Sequence, residues 1–434
     1  MEPLNCLTPL DGRYRNTTSI LCKYFSESSL IRYRTNLEML YLIYILDFLD
    51  IPNTDFNFFE ITDEDILRIK EIEKQVNHDV KAVELFLREK ITNKSILEFI
   101  HFGLTSQDVN SSSYVLSMKE VNQEIIIPKL DKITNMIQQK AEEWLEISML
   151  SRTHGQPASP TTLGKELMVF VERIRKQLIQ LKQFKYTTKF GGAVGNFNSH
   201  YVAYPEKDWI KFGNEFIESL GMKRNHFTTQ IDNYDNYSEM FDILKRLSTV
   251  MIDFCRDIWL YVSQDYFSQL NLKGEVGSSA MPHKINPINF ENAEGNLMMS
   301  VSLLEFMSRK LPVSRLQRDL TDSTVLRNIG TCYGYLLIGM ESIISGMKRI
   351  DVNREKIRED LEKNKIVLAE AVQSILRKEG VENSYLLIKE MTRGGKDLDV
   401  EEMVVLLEEK GIQISETGKS QIYNLDVHSY TGSF

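Results

Sequence analysis

The chain has 434 residues, 42% hydrophobic and 26% charged, with a formal net charge of -9. Composition this near the globular average excludes disorder and low complexity, and the acidic balance excludes a global attraction to nucleic acid or an anionic membrane. An anionic ligand must therefore be held by a local cluster of cations, in a chain long enough for two or three domains.

The cysteines Cys6, Cys22, Cys255 and Cys332 are far apart and lack C-x-x-C spacing, which argues against a zinc site or a disulfide framework and for a reducing compartment. Residues 1–5 lack a basic and then apolar leader, and the longest apolar run, 39–46, is too short to span a bilayer. The expected location is cytoplasmic.

In chain order, residues 10–14 read as a turn, followed by helical patterns to about residue 49, near 63–74 and over 80–90. Asn77, His78 and Asp79 fall at the junction of two of these. Residues 101–108 break the pattern again, with Thr105 or Ser106 as a helix cap and Asp108 favourable in the first turn. From 109 to about 150 the period is helical, and Pro128 is expected to kink or interrupt it.

The turn 151–160 carries His154, and Ser159 with Pro160 reads as cap plus first helical residue. On that reading His154 stands just outside a helix N-terminus. Residues 191–196 are glycine-rich without the dinucleotide spacing, and read as a loop. From about 236 to 267 there is neither glycine nor proline, which gives a helix on the order of 45 Å long. It is apolar on more than one face, so the chain is expected to associate around a helical bundle.

Residues 274–287 form a polar segment between two apolar helical patterns, with Ser278, Ser279, Lys284 and Asn286 among glycines and prolines. It reads either as a mobile catalytic loop or as a plain connection in which Asn286 caps its own helix. Helices follow over 287–307 and up to about 347, and Lys/Glu-rich amphipathic ones beyond 351. No segment reads as a confident strand and no repeat is present, so the fold class is all-α. The expected domains are an N-terminal helical domain 1–106, a central long-helix bundle 107–350 and a small C-terminal helical domain 351–434.

If these turns meet, they bring imidazoles, hydroxyls and cations together without metal-ligand spacing, which suits acid/base chemistry on an anionic substrate. His154 reads as a general acid or as a plain hydrogen-bonding turn residue. Glu291 reads as its orienting carboxylate or as an exposed helix glutamate. Ser278 would act as a base only if Lys284 and loop N–H groups stabilised its alkoxide. Ser323 and Arg327, four apart near a helix start at Thr321 and Asp322, form a phosphate cradle with Arg318, or surface ion pairs.

Residues 277–287 resemble the signature of the aspartase/fumarase superfamily, homotetrameric lyases that release fumarate by β-elimination. Asp11-Gly12-Arg13-Tyr14, Asn77-His78-Asp79, Thr105-Ser106, the run 151–157 around His154, Thr229-Gln230 and the run 318–327 resemble, in order, the motifs of its adenylosuccinate lyase family, over roughly residues 10 to 330. Asn77, where many members carry arginine, resembles the common bacterial branch.

The resemblance implies a three-domain chain with a long central bundle, assembled as a homotetramer with active sites shared between subunits. Arg13, Tyr14, Arg318, Ser323 and Arg327 would hold phosphate and ribose, and Gln230, Asn77, His78 and Asp79 the nucleotide or succinyl part. Thr105, Ser106, Lys284 and Asn286 would bind the succinyl carboxylates, with Asn292 and Thr324 also at substrate-binding positions. Ser278 would be the base and His154 the acid, supported by Glu291, Lys284 and His78. No metal or organic cofactor, nucleic acid or membrane partner is implied. Competing readings are another fumarate-releasing lyase, such as one acting on argininosuccinate, or a non-catalytic oligomeric scaffold of the same fold.

Overall fold

The computed structural model describes residues 3–52, 56–270, 281, 284–393 and 398–433. Helices dominate them, and strands form three two-stranded sheets among the described residues, so the all-α expectation holds. The chain divides into two compact units of three segments each: residues 1–131, 176–252 and 292–342 in the first, and 132–175, 253–291 and 343–434 in the second.

In the first unit, helices α1 (Glu27–Phe48), α2 (Asp63–Val76) and α3 (Asp79–Lys90) pack around Met39, Leu42, Leu46, Ile69, Phe86 and Leu87. At about 1.5–3 kcal/mol for each fully buried apolar side chain, this cluster holds the three helices in register. Their ends are written locally. Ser26 caps α1 through the Ser29 N–H at 3.1 Å, and a Thr62/Asp65 capping box opens α2, with Asp63, Glu64 and Asp65 favourable against its dipole. Asn77 closes α2 in the left-handed region, φ 53°, a conformation Asn tolerates.

Helix α4 (Ser106–Val121) passes through a π-helical turn, Asn122–Ile126, into α5 (Ile127–Glu143). The expected interruption at Pro128 is this turn: a proline ring crowds the carbonyl four residues earlier, and the wider π turn moves that carbonyl aside. The other long helices are α6 (Leu163–Lys182), α7 (Asp235–Ser263), α8 (Ile288–Lys310) and α10 (Ile329–Met347), with a short α9 (Thr321–Leu326) between the last two.

The second unit contains a correction. Residues 148–162, expected as a helix end, a turn and a new helix at Pro160, are an antiparallel hairpin of β1 (Ser148–Thr153) and β2 (Gln156–Thr162). Pro157 and Pro160 lie opposite Arg152 and Leu150 within it, as tolerated in a two-stranded sheet with free edges. Helix α6 begins three residues after Pro160, where the Thr162 hydroxyl accepts from the Lys165 N–H at 3.3 Å. His154 is thus at a hairpin tip, not beside a helix N-terminus. The strand pairs β3 (Thr187–Thr188) with β4 (Lys223–Arg224) and β5 (Phe267–Gln269) with β6 (Ile350–Val352) also escaped the pattern reading, being too short for alternation to register.

The C-terminal part of this unit runs through α11 (Arg354–Glu362), α12 (Ala369–Lys378), α13 (Ser384–Met391), α14 (Val400–Glu409) and α15 (Glu416–Tyr423). Its core includes Val372, Leu376, Ile388, Met403 and Leu407. None of the four cysteines forms a disulfide.

Candidate active site

A cleft of about 610 Å³ in the first unit is lined by the α2–α3 junction, the start of α4, the loop bearing Gln230 and the region around α9. It brings together Asn77, His78, Asp79, Thr105, Ser106, Gln230, Arg318, Ser323, Thr324 and Arg327. The left-handed Asn77 turns the chain so that His78 caps α3, its Nδ1 accepting from the Lys81 N–H at 3.1 Å. The other ring nitrogen, Nε2, stands 3.4 Å from the Ser106 hydroxyl.

Burial would raise the Asp79 carboxyl, but Arg34, the Val80 N–H, His78 and Arg327 outweigh it and hold Asp79 below the usual range. The Arg34 guanidinium, almost fully buried, does most of this, 2.8 Å from Asp79 and 2.8 Å from the Asn110 amide oxygen. Arg327 stands 3.8 Å from Asp79 and 3.9 Å from Glu27 with its side chain 54% exposed. Its charge is only loosely compensated and remains available to an incoming anion.

Two buried carboxylates set the walls. Asp108 accepts from the Thr105 N–H at 2.8 Å, from Lys189 at 2.7 Å, and from the N–H groups of Gly191 and Gly192 at 2.8 and 3.0 Å. The glycine-rich loop therefore wraps an internal carboxylate, and this fixes Thr105 and Ser106 in the cleft. On the other wall, the Tyr234 hydroxyl donates to buried Asp322 at 2.7 Å, which accepts from the Ser323 N–H at 2.7 Å. Asp232, in turn, accepts from the Tyr234 N–H at 2.8 Å, shaping the loop that presents Gln230.

The cradle differs from expectation in one respect. Helix α9 is six residues long and Arg327 is its C-terminal cap, so side chains rather than a long helix terminus supply the hydroxyls and cations. Arg13 and Tyr14 do not line the cleft. Tyr14 instead donates to Asn292 at 2.9 Å, whose amide bonds Ser342 at 2.7 Å, because the turn at residues 8–14 closes on itself through the Tyr14 N–H and the Pro9 carbonyl.

His154, Lys284, Asn286 and Glu291 belong to the second unit. His154 (φ 53°) and Gly155 (φ 75°) are the central residues of the β1–β2 turn, the two positive φ values of a type I′ hairpin. Glu291 accepts from the Trp259 indole N–H at 3.0 Å, and Lys284 is exposed. The Pro287 carbonyl accepts from the Phe290 and Glu291 N–H groups, so α8 starts one residue later than expected. Ser278 lies outside the described residues.

Pattern reading missed Arg34, Glu73, Gln107, Asn110 and Tyr114 in the cleft. A signal existed: Arg34, Thr35 and Glu38 sit on buried positions of the otherwise apolar α1, and α4 buries a polar run from Asn110 to Ser113. Polar groups on a core face need partners, and such partners often line a site. Among the described residues no group of three or more His, Cys, Asp or Glu is placed to hold a metal, and no helix is long and apolar enough to cross a membrane.

Residues 54–301 match the family described as Lyase and residues 314–431 that described as Adenylosuccinate lyase C-terminal. The chain is 44% identical to adenylosuccinate lyase of Dictyostelium discoideum, over 100% of this chain and 97% of that one. The chain belongs to the adenylosuccinate lyase family. Within that family it is also 42% identical to the Escherichia coli K12 protein, over 100% of this chain and 97% of that one, and 45% identical to that of Haemophilus influenzae, over 91% and 90%.

The same helical fold recurs in a fumarate lyase from Mesorhizobium sp. BNC1 (TM-score 0.75, 16% identity, 96% of this chain and 95% of that one). It recurs also in a 3-carboxy-cis,cis-muconate lactonizing enzyme from Pseudomonas putida (TM-score 0.72, 18% identity, 96% and 94%). Adenylosuccinate lyases thus share their architecture with enzymes of other names, and the substrate must be argued from the cleft.

Proposed function

We propose that this lyase cleaves adenylosuccinate to AMP and fumarate, and succinyl-aminoimidazole-carboxamide ribotide to AICAR and fumarate, in purine biosynthesis. The observation that carries this reading is the cleft in which Arg318, Ser323 and Arg327 face Thr105, Ser106 and His78. The first group suits a phosphate and the second a carboxylate; an argininosuccinate-type substrate, lacking phosphate, would leave the arginines without a purpose.

In the reaction Ser278 takes the proton next to a succinyl carboxylate, and the electron pair spreads into that carboxylate, where Lys284 and Asn286 stabilise it. The carbon–nitrogen bond then breaks as His154, oriented by Glu291, protonates the departing nitrogen. The nucleotide and fumarate leave, with no metal or cofactor in any step. Arg13, Tyr14 and Asn292 join the substrate from a neighbouring subunit of a homotetramer, which agrees with their standing apart from the cleft of their own chain. The three-part domain division at 106 and 350 and a cytoplasmic location complete the proposal; the dispersed cysteines, without C-x-x-C spacing, support a reducing compartment.

Incubation with adenylosuccinate should release AMP and fumarate in equal amounts. Well-folded protein that yields no fumarate, or that prefers a non-phosphorylated succinyl substrate, would refute the reading.

A further inference from the structure

We infer that Asp360, in the C-terminal part of the chain, is a positioning residue that holds the His154 hairpin at its reactive geometry. The inference rests on the reading of His154 as the general acid. It assigns a task to the region beyond residue 351, in which the sequence offers no chemical motif.

The hairpin has little stiffness of its own. It has two strands, Pro157 and Pro160 remove two N–H donors from its ladder, and its register slips between Leu150 and Ser151. His154 also occupies the left-handed region, φ 53°, which is uncommon outside glycine although histidine is among the side chains found there. A tip of this kind keeps one conformation only if its flanks are held from outside.

The C-terminal segment holds both flanks. Asp360, in the last turn of α11, accepts from the Arg152 guanidinium at 2.6 Å and from the Tyr266 hydroxyl on the same carboxylate oxygen. The Arg152 side chain is 30% and the Asp360 side chain 20% exposed. Farther from the tip, Glu370 accepts from Ser159 and from Tyr430 (3.1 Å), and Ser148 bonds His428 at 2.9 Å. Of these clasps the one on Arg152 is nearest the imidazole, two residues or roughly 7 Å along the strand.

Burial acts to raise the Asp360 carboxyl, but Tyr266 and Arg152 overcome this and hold it below the usual range. The clasp is therefore charged throughout the neutral range. A general acid displaced by about 1 Å loses on the order of a hundredfold in rate. Substrate binding, which depends on the cleft of the first unit, is not expected to follow.

The test is a double-mutant cycle in the full-length enzyme on adenylosuccinate. Asp360→Ala and Tyr266→Phe are each made in the native and in a His154→Asn background, asparagine being chosen because it suits the left-handed turn. In the native background Asp360→Ala should lower kcat by about tenfold to a hundredfold with KM unchanged within about twofold. Asp360→Glu should recover part of the loss.

With His154→Asn already present, Asp360→Ala should cost less than about twofold further, since a residue acting only through His154 has nothing left to position. Tyr266→Phe should repeat the pattern at smaller amplitude and carries the test should Asp360→Ala fail to fold. An equal loss in both backgrounds, a loss expressed in KM, or no loss overturns the positioning role. If His154→Asn alone retains native kcat, the general-acid reading fails instead, and that result is recognised separately.

Discussion

Asp108 and Lys189 are fully removed from water, and desolvation on that scale is tolerated only while the two charges face each other and their remaining bonds are made. Burial pushes the Lys189 ammonium below its ordinary range and the Asp108 carboxylate opposes this. Asp108→Ala should destabilise by about 3–5 kcal/mol, because it strands a buried cation and frees the Thr105, Gly191 and Gly192 N–H groups together; a urea midpoint close to the parent's would refute this. Two other buried groups set a pH dependence. Burial raises Asp232 to about 6 and lowers His200 to about 4. Unfolded, these groups titrate near 3.9 and 6.5. The stability linked to Asp232 is greatest when the group is neutral and is lost as pH rises from about 4 to 6. That linked to His200 is present above about 6.5 and is lost as pH falls to about 4. The two slopes oppose each other in the native chain. In Asp232→Asn the histidine slope is no longer opposed by Asp232, so Tm should fall more steeply between pH 6 and pH 4 than in the parent, and an unchanged slope would count against this assignment.

At the level of elements, two backbones approach closely at Gly164. A Cβ there would lie 2.2 Å from the Ala141 carbonyl oxygen and 2.6 Å from the Leu145 Cα, so α6 meets the end of α5 and the residues after it at a distance only glycine permits. Gly164→Ala should cost about 1–3 kcal/mol through overpacking, visible as a lower Tm at undiminished helical content. This contact is invisible in the sequence, where Gly164 sits in a run of good helix formers. What was legible were long periodic segments: α4, α7, α8 and α10 lie near their expected positions because burying an apolar stripe over several turns outweighs local ambiguity. The β1–β2 hairpin was not legible, since its strands contain two prolines and its turn replaces the usual Asn-Gly with His154-Gly155. The cleft was half legible. Turn residues such as His78, Thr105 and Arg327 stand out because helices break there, whereas Arg34 and Asn110 lie within helices and are marked only by being polar where the core should be.

Taken as a whole molecule, the chain leaves apolar surface exposed among its described residues. On α8 an outward stripe runs through Gly295, Met298 (54% exposed), Met299 (47%), Ser302 and Phe306 (49%), and a Cβ on Gly295 would meet nothing within 4 Å. Such a stripe on a long helix fits a second copy of the same helix, the association proposed above. Met299→Glu combined with Phe306→Glu should therefore reduce the particle to a smaller species by light scattering, and activity should fall with it. The sharing of sites is tested by mixing. Ser278→Ala and His154→Asn proteins should each be nearly inactive alone. If base and acid of one site come from different chains, random reassembly of an equal mixture leaves about one site in four with both native residues, by the symmetry of a closed homo-oligomer. Recovery of activity toward that fraction after dissociation and reassociation is the expected result. Mixed tetramers, verified by mass, that stay as inactive as their parents would show that each site is completed within one chain, and would remove the reason given for Tyr14 and Asn292 lying outside the cleft of their own chain.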